Sequence, residues 1–443
     1  RDPAELYREA GEAIREAGVT RFIGIGERVG RYREAFPPGS RFYESTGHFL
    51  RHEERESFRR QVVLLRGARR FRLEYVAGFL QKQSHGTVLE VDLEAMARNL
   101  NYFRSLTPAR VAVMVKAFSY GSGAREVATL LEYHRVDYLM VAFADEGIEL
   151  RAAGISLPIA VMNPEREAFD SMITFNLEPE IYSLEMLAEF ERALGRHGVK
   201  RFPAHVKINT GMNRSGLDEG EVPALVEFLR GGRALYARSV FSHLAGSDDP
   251  AHDGFTRLQA ERFARASAAV QAGLDYPVWR HLLNSAGIER FPEYHFDMVR
   301  LGIGLHGISA AGAPLSPVST LKTRVAAVRE IPAGEPVGYG RAGVTRRPSL
   351  VATLPVGYAD GLDRRLGNGI GEVVVGGRRV PFIGNICMDS CMVDVTGGAA
   401  VGDEVEIFGR EIPVTEMADK LGTIPYEVLT GISPRVKRVY LKE

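Results

Sequence analysis

The chain has 443 residues, and its 56 basic side chains are balanced by 56 acidic ones. That length allows two or three domains, and a neutral balance gives no bulk electrostatic reason to seek nucleic acid or an anionic membrane. No apolar run approaches the roughly 20 residues of a membrane helix, and two cysteines, Cys387 and Cys391, are too few for a disulfide framework or a zinc site.

From Arg1 to Arg8 the pattern is a charged helix rather than a signal peptide, so a cytoplasmic location is expected. The absence of a methionine at position 1 is what a segment cut from something longer would show. Residues 1 to about 86 alternate helix Ala4–Ala17, strand Arg21–Ile25, a further helix, strand Gln61–Leu65 and helix Leu73–Gln81. These are too few strands for a sheet with two protected edges, so the region reads as a partial α/β domain. Val88–Asp92 follows as an isolated strand.

The middle of the chain repeats one unit, a short apolar run ending in a polar residue and then an amphipathic helix. The strand candidates are Val111–Ala117, Tyr138–Phe143, Ile159–Asn163, Glu178–Ser183, His205–Gly211, Tyr236–His243, Trp279–Ser285 and Met298–Leu305. Ala124–Arg135, Leu184–His197, Val222–Leu229 and Thr256–Ala272 are the clearest helices. Apolar strands alternating with helices imply a buried parallel sheet, and eight of them imply a (β/α)₈ TIM barrel. An open doubly wound sheet is the alternative, weakened because no GxGxxG turn follows the first strand.

Past residue 320, Leu350–Leu354, Gly371–Val375, Arg379–Ile383 and Glu404–Phe408 are strand-like, with Gly376–Gly377 as a hairpin turn. This is a small all-β domain that Val88–Asp92 could join. The expected division is 1–86, 87–320 and 321–443.

Function in a barrel concentrates where strands end. The first strand ends in Val115–Gly123, where Lys116 closes an apolar run. Partial burial lowers a lysine's pKa and makes it a good amine nucleophile for a Schiff base. The turn Tyr120-Gly121-Ser122-Gly123 before a helix suits a phosphate. A snorkelling lysine and an ordinary turn fit the same residues.

Further strand-end motifs follow. They are Lys207-Ile208-Asn209-Thr210-Gly211-Met212-Asn213-Arg214, Ser242-His243-Leu244-Ala245, His281-Leu282-Leu283-Asn284-Ser285 and Arg300-Leu301-Gly302-Ile303-Gly304. Leu354–Leu362, containing Gly357-Tyr358-Ala359-Asp360-Gly361, and Cys387-Met388-Asp389 lie in the β domain. Together with Val115–Gly123, and in this order, they resemble the alanine racemases, the barrel-type pyridoxal-phosphate (PLP) family. The resemblance covers about residues 87–443.

The resemblance implies a role for each residue. Lys116 would hold PLP and carry a proton on one face of the substrate. Tyr358, reaching the other subunit's site in a homodimer, would carry it on the opposite face. Tyr120 and Ser285, beside Asn284, would bond the cofactor phosphate with the Gly302 and Ile303 amides. Arg300 would face the pyridine nitrogen, and His243 would couple it to the partner's Tyr358. Arg214 would bond the cofactor's phenolic oxygen or the substrate carboxylate, and Lys207 matches a lysine that some relatives carbamylate and that orients that arginine. The Met388 amide, in the turn with Asp389, would bond the carboxylate of the substrate, alanine. No metal is expected.

Three positions depart from the family pattern. Asn209 replaces a frequent aspartate, His306 stands where many relatives have tyrosine, and Pro434 where some place a tyrosine at the phosphate and substrate entrance. Residues 1–86 resemble the end of the C-terminal domain of UDP-N-acetylmuramoyl-tripeptide–D-alanyl-D-alanine ligase, through Leu65-Arg66-Gly67-Ala68-Arg69. The run into His85-Gly86-Thr87-Val88-Leu89-Glu90 is similar to ligase–racemase fusions. No Gly-Lys-Ser/Thr phosphate loop is present, so the remaining ligase domains would be missing and ligase activity is not expected. The rival readings are a barrel-type PLP decarboxylase, which should lack the Tyr358 motif, and a non-catalytic scaffold.

Overall fold

A computed structural model describes residues 2–53, 58, 61–71, 73–80, 86–231 and 234–442. The chain divides into two units, Arg1–Gly86 with Val439–Glu443, and Thr87–Arg438.

In the first unit Asp2 caps helix Pro3–Glu16 by accepting from the Ala4 amide, with proline at the helix start. Strands β1 (Ile23–Ile25) and β2 (Arg41–Tyr43) pair in parallel. Helices Glu27–Arg31, Thr46–His52 and Leu73–Leu80 accompany them. Phe22 and Phe36 stack at 4.3 Å, and the buried Glu53 carboxylate accepts from Arg21, Arg41 and Tyr43. The expected strand at Gln61–Leu65 does not form. Val62 and Leu64 are exposed there, and an apolar run with no strand beside it has nothing to pair with. The short, charged Arg41–Tyr43 takes the sheet position instead. The expected helix end at Gln81, and His85, lie outside the described residues.

The second unit opens with β3 (Val88–Asp92). Then come β4 (Arg110–Met114), β5 (Tyr138–Val141), β6 (Ile159–Val161), β7 (Leu177–Ile181), β8 (Phe202–Lys207), β9 (Leu235–Phe241), β10 (Trp279–His281) and β11 (Met298–Leu301). The eight strands β4 to β11 close in sequence order into a parallel barrel, β11 pairing with β4. Helices on the outside include Ala124–Tyr133, Leu184–His197, Val222–Arg230 and Asp253–Gly273, close to the periodic stretches of the sequence. Ala112, Tyr138, Met140, Ala160 and Met298 form a buried cluster. The strands stop two to four residues short of the expected ends, because the polar residues there already belong to loops that carry side chains out over the barrel mouth.

β12 (Ser319–Arg324) pairs antiparallel with β3, so the isolated strand does join the C-terminal domain. There follow β13 (Ala327–Ile331), β14 (Pro336–Val337), β15 (Gly343–Val344), β16 (Ser349–Leu354), β17 (Glu372–Val375), β18 (Arg378–Pro381), β19 (Cys391–Asp394), β20 (Glu404–Phe408) and β21 (Lys437–Leu441). One sheet runs β18–β17–β20–β12–β3 and a second β13–β16–β19. Gly376 and Gly377, at φ 57° and 73°, make the primed turn of the β17–β18 hairpin. The domain is not purely β: helices Val414–Leu421 and Pro425–Thr430 interrupt it. No helix among the described residues is long and apolar enough to cross a membrane.

Candidate active site

Lys116 leaves β4 into a left-handed turn. Ala117, Phe118, Ser119 and Tyr120 all have φ between 50° and 56°, a conformation costing roughly 1–2 kcal/mol per non-glycine residue. Four strained residues in a row persist only where surroundings over-determine them, and such strain clusters at functional sites. Here Ser119 donates to the Val115 carbonyl, Gly121 to Ala117 and Gly123 to Phe118. Glu146 accepts from the Ala117 amide at 2.7 Å and from Ala142 at 2.6 Å, tying the turn to the end of β5. The turn presents a half-buried Lys116. Desolvation and the cations Arg214 and Lys207 hold its amine below the usual lysine range, against Glu146.

A cradle of hydroxyl and amide groups lies at the ends of β10 and β11. Ser285 Oγ accepts from the Gly302 amide at 2.9 Å and the Gly304 amide at 3.1 Å, leaving its own proton to donate. The Ile303 amide has no partner among the described residues. The Gly302 amide, expected at the phosphate, donates to Ser285. A Cβ on Gly302 would stand 2.7 Å from the Tyr120 hydroxyl, so only glycine leaves that hydroxyl room. Asn284 Oδ1 caps the following helix through the Gly287 amide and accepts from Ser247. Its carbonyl is thus a positioning group for Ser285.

Arg300 is buried on β11 and is pushed down to about 10 by burial, with Glu180 opposing. It donates to the Ser242, His281 and Leu282 carbonyls, to His281 Nδ1 at 2.7 Å and to His243 Nδ1 at 3.4 Å. Its Nε is left without a partner among the described residues. An arginine only donates, so His281 must present a lone pair at Nδ1 and its proton at Nε2. Ser239 Oγ accepts that proton at 2.8 Å and donates to His205 Nδ1 at 2.6 Å, and His205 Nε2 donates to Glu178 at 2.8 Å. This buried relay locks the guanidinium and was not legible in the sequence. Burial and the cations Arg300, Arg214, Lys207 and Lys116 push His243 well below the usual imidazole range, so it is neutral at pH 7.

Lys207, at the end of β8, donates to Glu180 Oε1 at 2.8 Å and to Ser215 Oγ at 2.9 Å. Two of the three Nζ donors are thereby engaged. Asn209 Oδ1 accepts from the Gly211 and Asn213 amides and folds the loop that carries Arg214.

The β-domain candidates form a separate surface. A Cβ on Gly357 would fall 2.3 Å from the Cys387 and Met388 carbonyls. Only glycine permits this approach, which lets Tyr358 and Ala359 donate to those carbonyls. Tyr358 and Met388 are therefore side by side, 43% and 54% exposed. Neither bonds to Lys116, His243 or Arg300 within the chain. Asp389 is bound to Arg435 at 2.7 Å, and Arg435 also holds the buried Asp360, so the Asp389 carboxylate helps to fasten the turn. His306 is pushed down to about 4 by burial and packs against the Tyr120 ring at 4.9 Å. Pro434 lies next to Arg435 in the same fastening.

These residues fit pyridoxal phosphate on the structure's own terms. A half-buried amine stands at one strand end, a hydroxyl–amide cradle at another, and a locked guanidinium with a spare donor between.

Comparison with known proteins agrees. The family model "Alanine racemase, N-terminal domain" matches residues 91–310, and "Alanine racemase, C-terminal domain" matches 318–440. The alanine racemase of Symbiobacterium thermophilum is 40% identical over 369 residues, 80% of this chain and 97% of the relative. The solved alanine racemase of Clostridium difficile 630 has a TM-score of 0.76 at 35% identity, covering 81% of this chain and 97% of that one. The Bartonella henselae alanine racemase, solved with covalently bound pyridoxal phosphate, has a TM-score of 0.74 at 32% identity over 80% and 99%. The chain belongs to the alanine racemase family.

Proposed function

We propose that this protein is a PLP-dependent racemase that interconverts L- and D-alanine with two proton carriers. The carrying observation is Lys116 on its strained turn, within electrostatic reach of Arg214, Lys207 and His243. PLP, when bound, withdraws electrons from the substrate's α-carbon and so acidifies its proton. Lys116 holds the cofactor. Its lowered proton affinity lets the amine take and return the α-proton on one face near neutral pH. Tyr120, Ser285 and the Ile303 amide hold the phosphate. Arg300 would face the ring nitrogen. It remains protonated and discourages protonation of that nitrogen, which limits side reactions. Arg214 and the Met388 amide orient the substrate carboxylate.

The exposed Tyr358 serves the opposite face in a partner subunit, where His243 accepts it, and the protein is a homodimer. A decarboxylase or an inert scaffold finds no support beside these features. Deuterium incorporation at the α-carbon of both alanine enantiomers in D₂O tests the reading. Exchange of neither would defeat it.

The proposed division is 1–86, 87–320 and 321–443. The first segment derives from a ligase C-terminal domain in a cytoplasmic ligase–racemase fusion that supplies D-alanine for peptidoglycan, and it has no ligase activity by itself. Nothing in it is required for racemisation. Deleting residues 1–86, which keeps Val88–Asp92, should leave kcat and KM within about threefold, under 1 kcal/mol in the barrier. A dimeric, PLP-loaded deletion variant without racemase activity would contradict this division.

A further inference from the structure

The left-handed turn after Lys116 is held from outside at both ends. At its start the Glu146 carboxylate accepts from the Ala117 amide. At its end the Gly121 carbonyl accepts from Arg438 Nε at 2.9 Å, across 317 positions of the chain. Arg438, in β21, gives its other two nitrogens to the loop before it. Nη1 donates to the Ser433 and Val436 carbonyls, both at 2.6 Å, and Nη2 to the Ile432 carbonyl at 2.7 Å. The donors of a guanidinium form a rigid planar fork, so four bonds fix its place. The fork also lies over the Phe118 ring, 5.6 Å from its centre. The loop is itself anchored: the Ser433 amide donates to the Asp360 carbonyl, and Arg435 to the buried Asp360 carboxylate. Helix Pro425–Thr430 closes on the same turn. A Cβ on Gly121 would fall 2.4 Å from the Leu429 carbonyl oxygen, and the Tyr426 ring is 5.8 Å from that of Tyr120.

We propose that Arg438 is a positioning residue for Lys116: it ties the Gly121 end of the strained turn to the C-terminal domain and so keeps the amine in place for the cofactor. This rests on Lys116 holding PLP. Released, each residue from Ala117 to Tyr120 would gain by leaving the left-handed region, and each such change redirects the chain beside Lys116. The bonds inside the turn cannot prevent this alone, because they exist only while the turn is left-handed. Strain of this kind needs a fixed point outside it. Arg438 supplies one through a charge-assisted bond. A lysine at this position would keep the charge, but a single point donor cannot grip the turn and the loop together.

Arg438→Met keeps the stem and removes the fork. Dialysis of the PLP-loaded enzyme, followed by cofactor absorbance, measures PLP affinity independently of turnover. The substitution should weaken PLP by about tenfold, the factor that one left-handed residue's strain represents. Arg438→Lys should act in the same direction by about fivefold and decides the matter if Arg438→Met does not fold. Ala117 is exposed, so Ala117→Gly removes left-handed strain with little loss of packing. In the native chain the turn is already populated, and Ala117→Gly should change PLP affinity by less than about twofold. In the Arg438→Met chain it should restore affinity by about threefold or more. A role confined to stabilising the C-terminal domain would lower the unfolding midpoint and show no such rescue. Unchanged PLP affinity in the folded variants, or equal effects of Ala117→Gly with and without Arg438, would overturn the role of Arg438. If borohydride traps PLP on the Lys116→Ala chain as on the native one, the reading of Lys116 fails and the proposal falls with it.

Discussion

Lys116→Ala is expected to abolish racemisation, lowering kcat by about 10⁴-fold or more. Two losses coincide. The amine that anchors the cofactor is gone, and so is the proton carrier on its face. The surroundings cannot supply a substitute. Lys207 is committed to Glu180 and Ser215, Arg300 to the histidines and carbonyls around it, and an arginine does not give up its proton. Borohydride reduction of the native enzyme should fix the cofactor on the peptide containing Lys116. The variant should yield no such adduct. A modified peptide at another lysine would contradict the assignment.

Tyr358→Phe should lower kcat by about 10³-fold, about 4 kcal/mol in the barrier, while PLP stays bound. The Tyr358 side chain is 43% exposed and its hydroxyl makes no bond among the described residues. The turn beneath it is held by backbone bonds to Cys387 and Met388. Unfolding stability of the chain should therefore move by no more than about 0.5 kcal/mol. A planar carbon needs a separate carrier on each face, so the loss should be uneven. Proton exchange at the α-carbon should fall more from L-alanine than from D-alanine. Equal residual exchange from both would count against two opposed bases, and a large fall in stability would make Tyr358 structural.

The barrel was legible because each of its strands is buried on both faces and reads as a short apolar run between helices. The strand ends were read too long. Residues such as Ala117 and Asn163 continue the apolar or polar pattern, but the backbone has already turned, and at Lys116 it turns into a left-handed conformation that side-chain pattern does not encode. Gln61–Leu65 failed for a different reason: apolar content is necessary for a strand, but pairing is a tertiary fact. At the site, Lys116, Tyr120, His243, Ser285 and Arg300 could be placed from their motifs. Glu178, Glu180, His205, Ser239 and Ser215 could not. Apart from Glu178 and Glu180, both on β7, they come from different strands or loops, and only barrel closure brings their polar atoms within bonding distance. Glu180 and His205 occupy polar positions in otherwise apolar strands, and that was the one available signal.

Mixed dimers test the shared site most directly. Neither the Lys116→Ala nor the Tyr358→Phe homodimer should racemise alanine. In a dimer containing one chain of each, one site holds both native residues and the other neither. Exchange of subunits at equal concentrations makes half the dimers mixed, so activity should return to roughly a quarter of the native value per subunit. No recovery, with mixed dimers shown to form, would mean that each site is built from a single chain and that Tyr358 is not the second base.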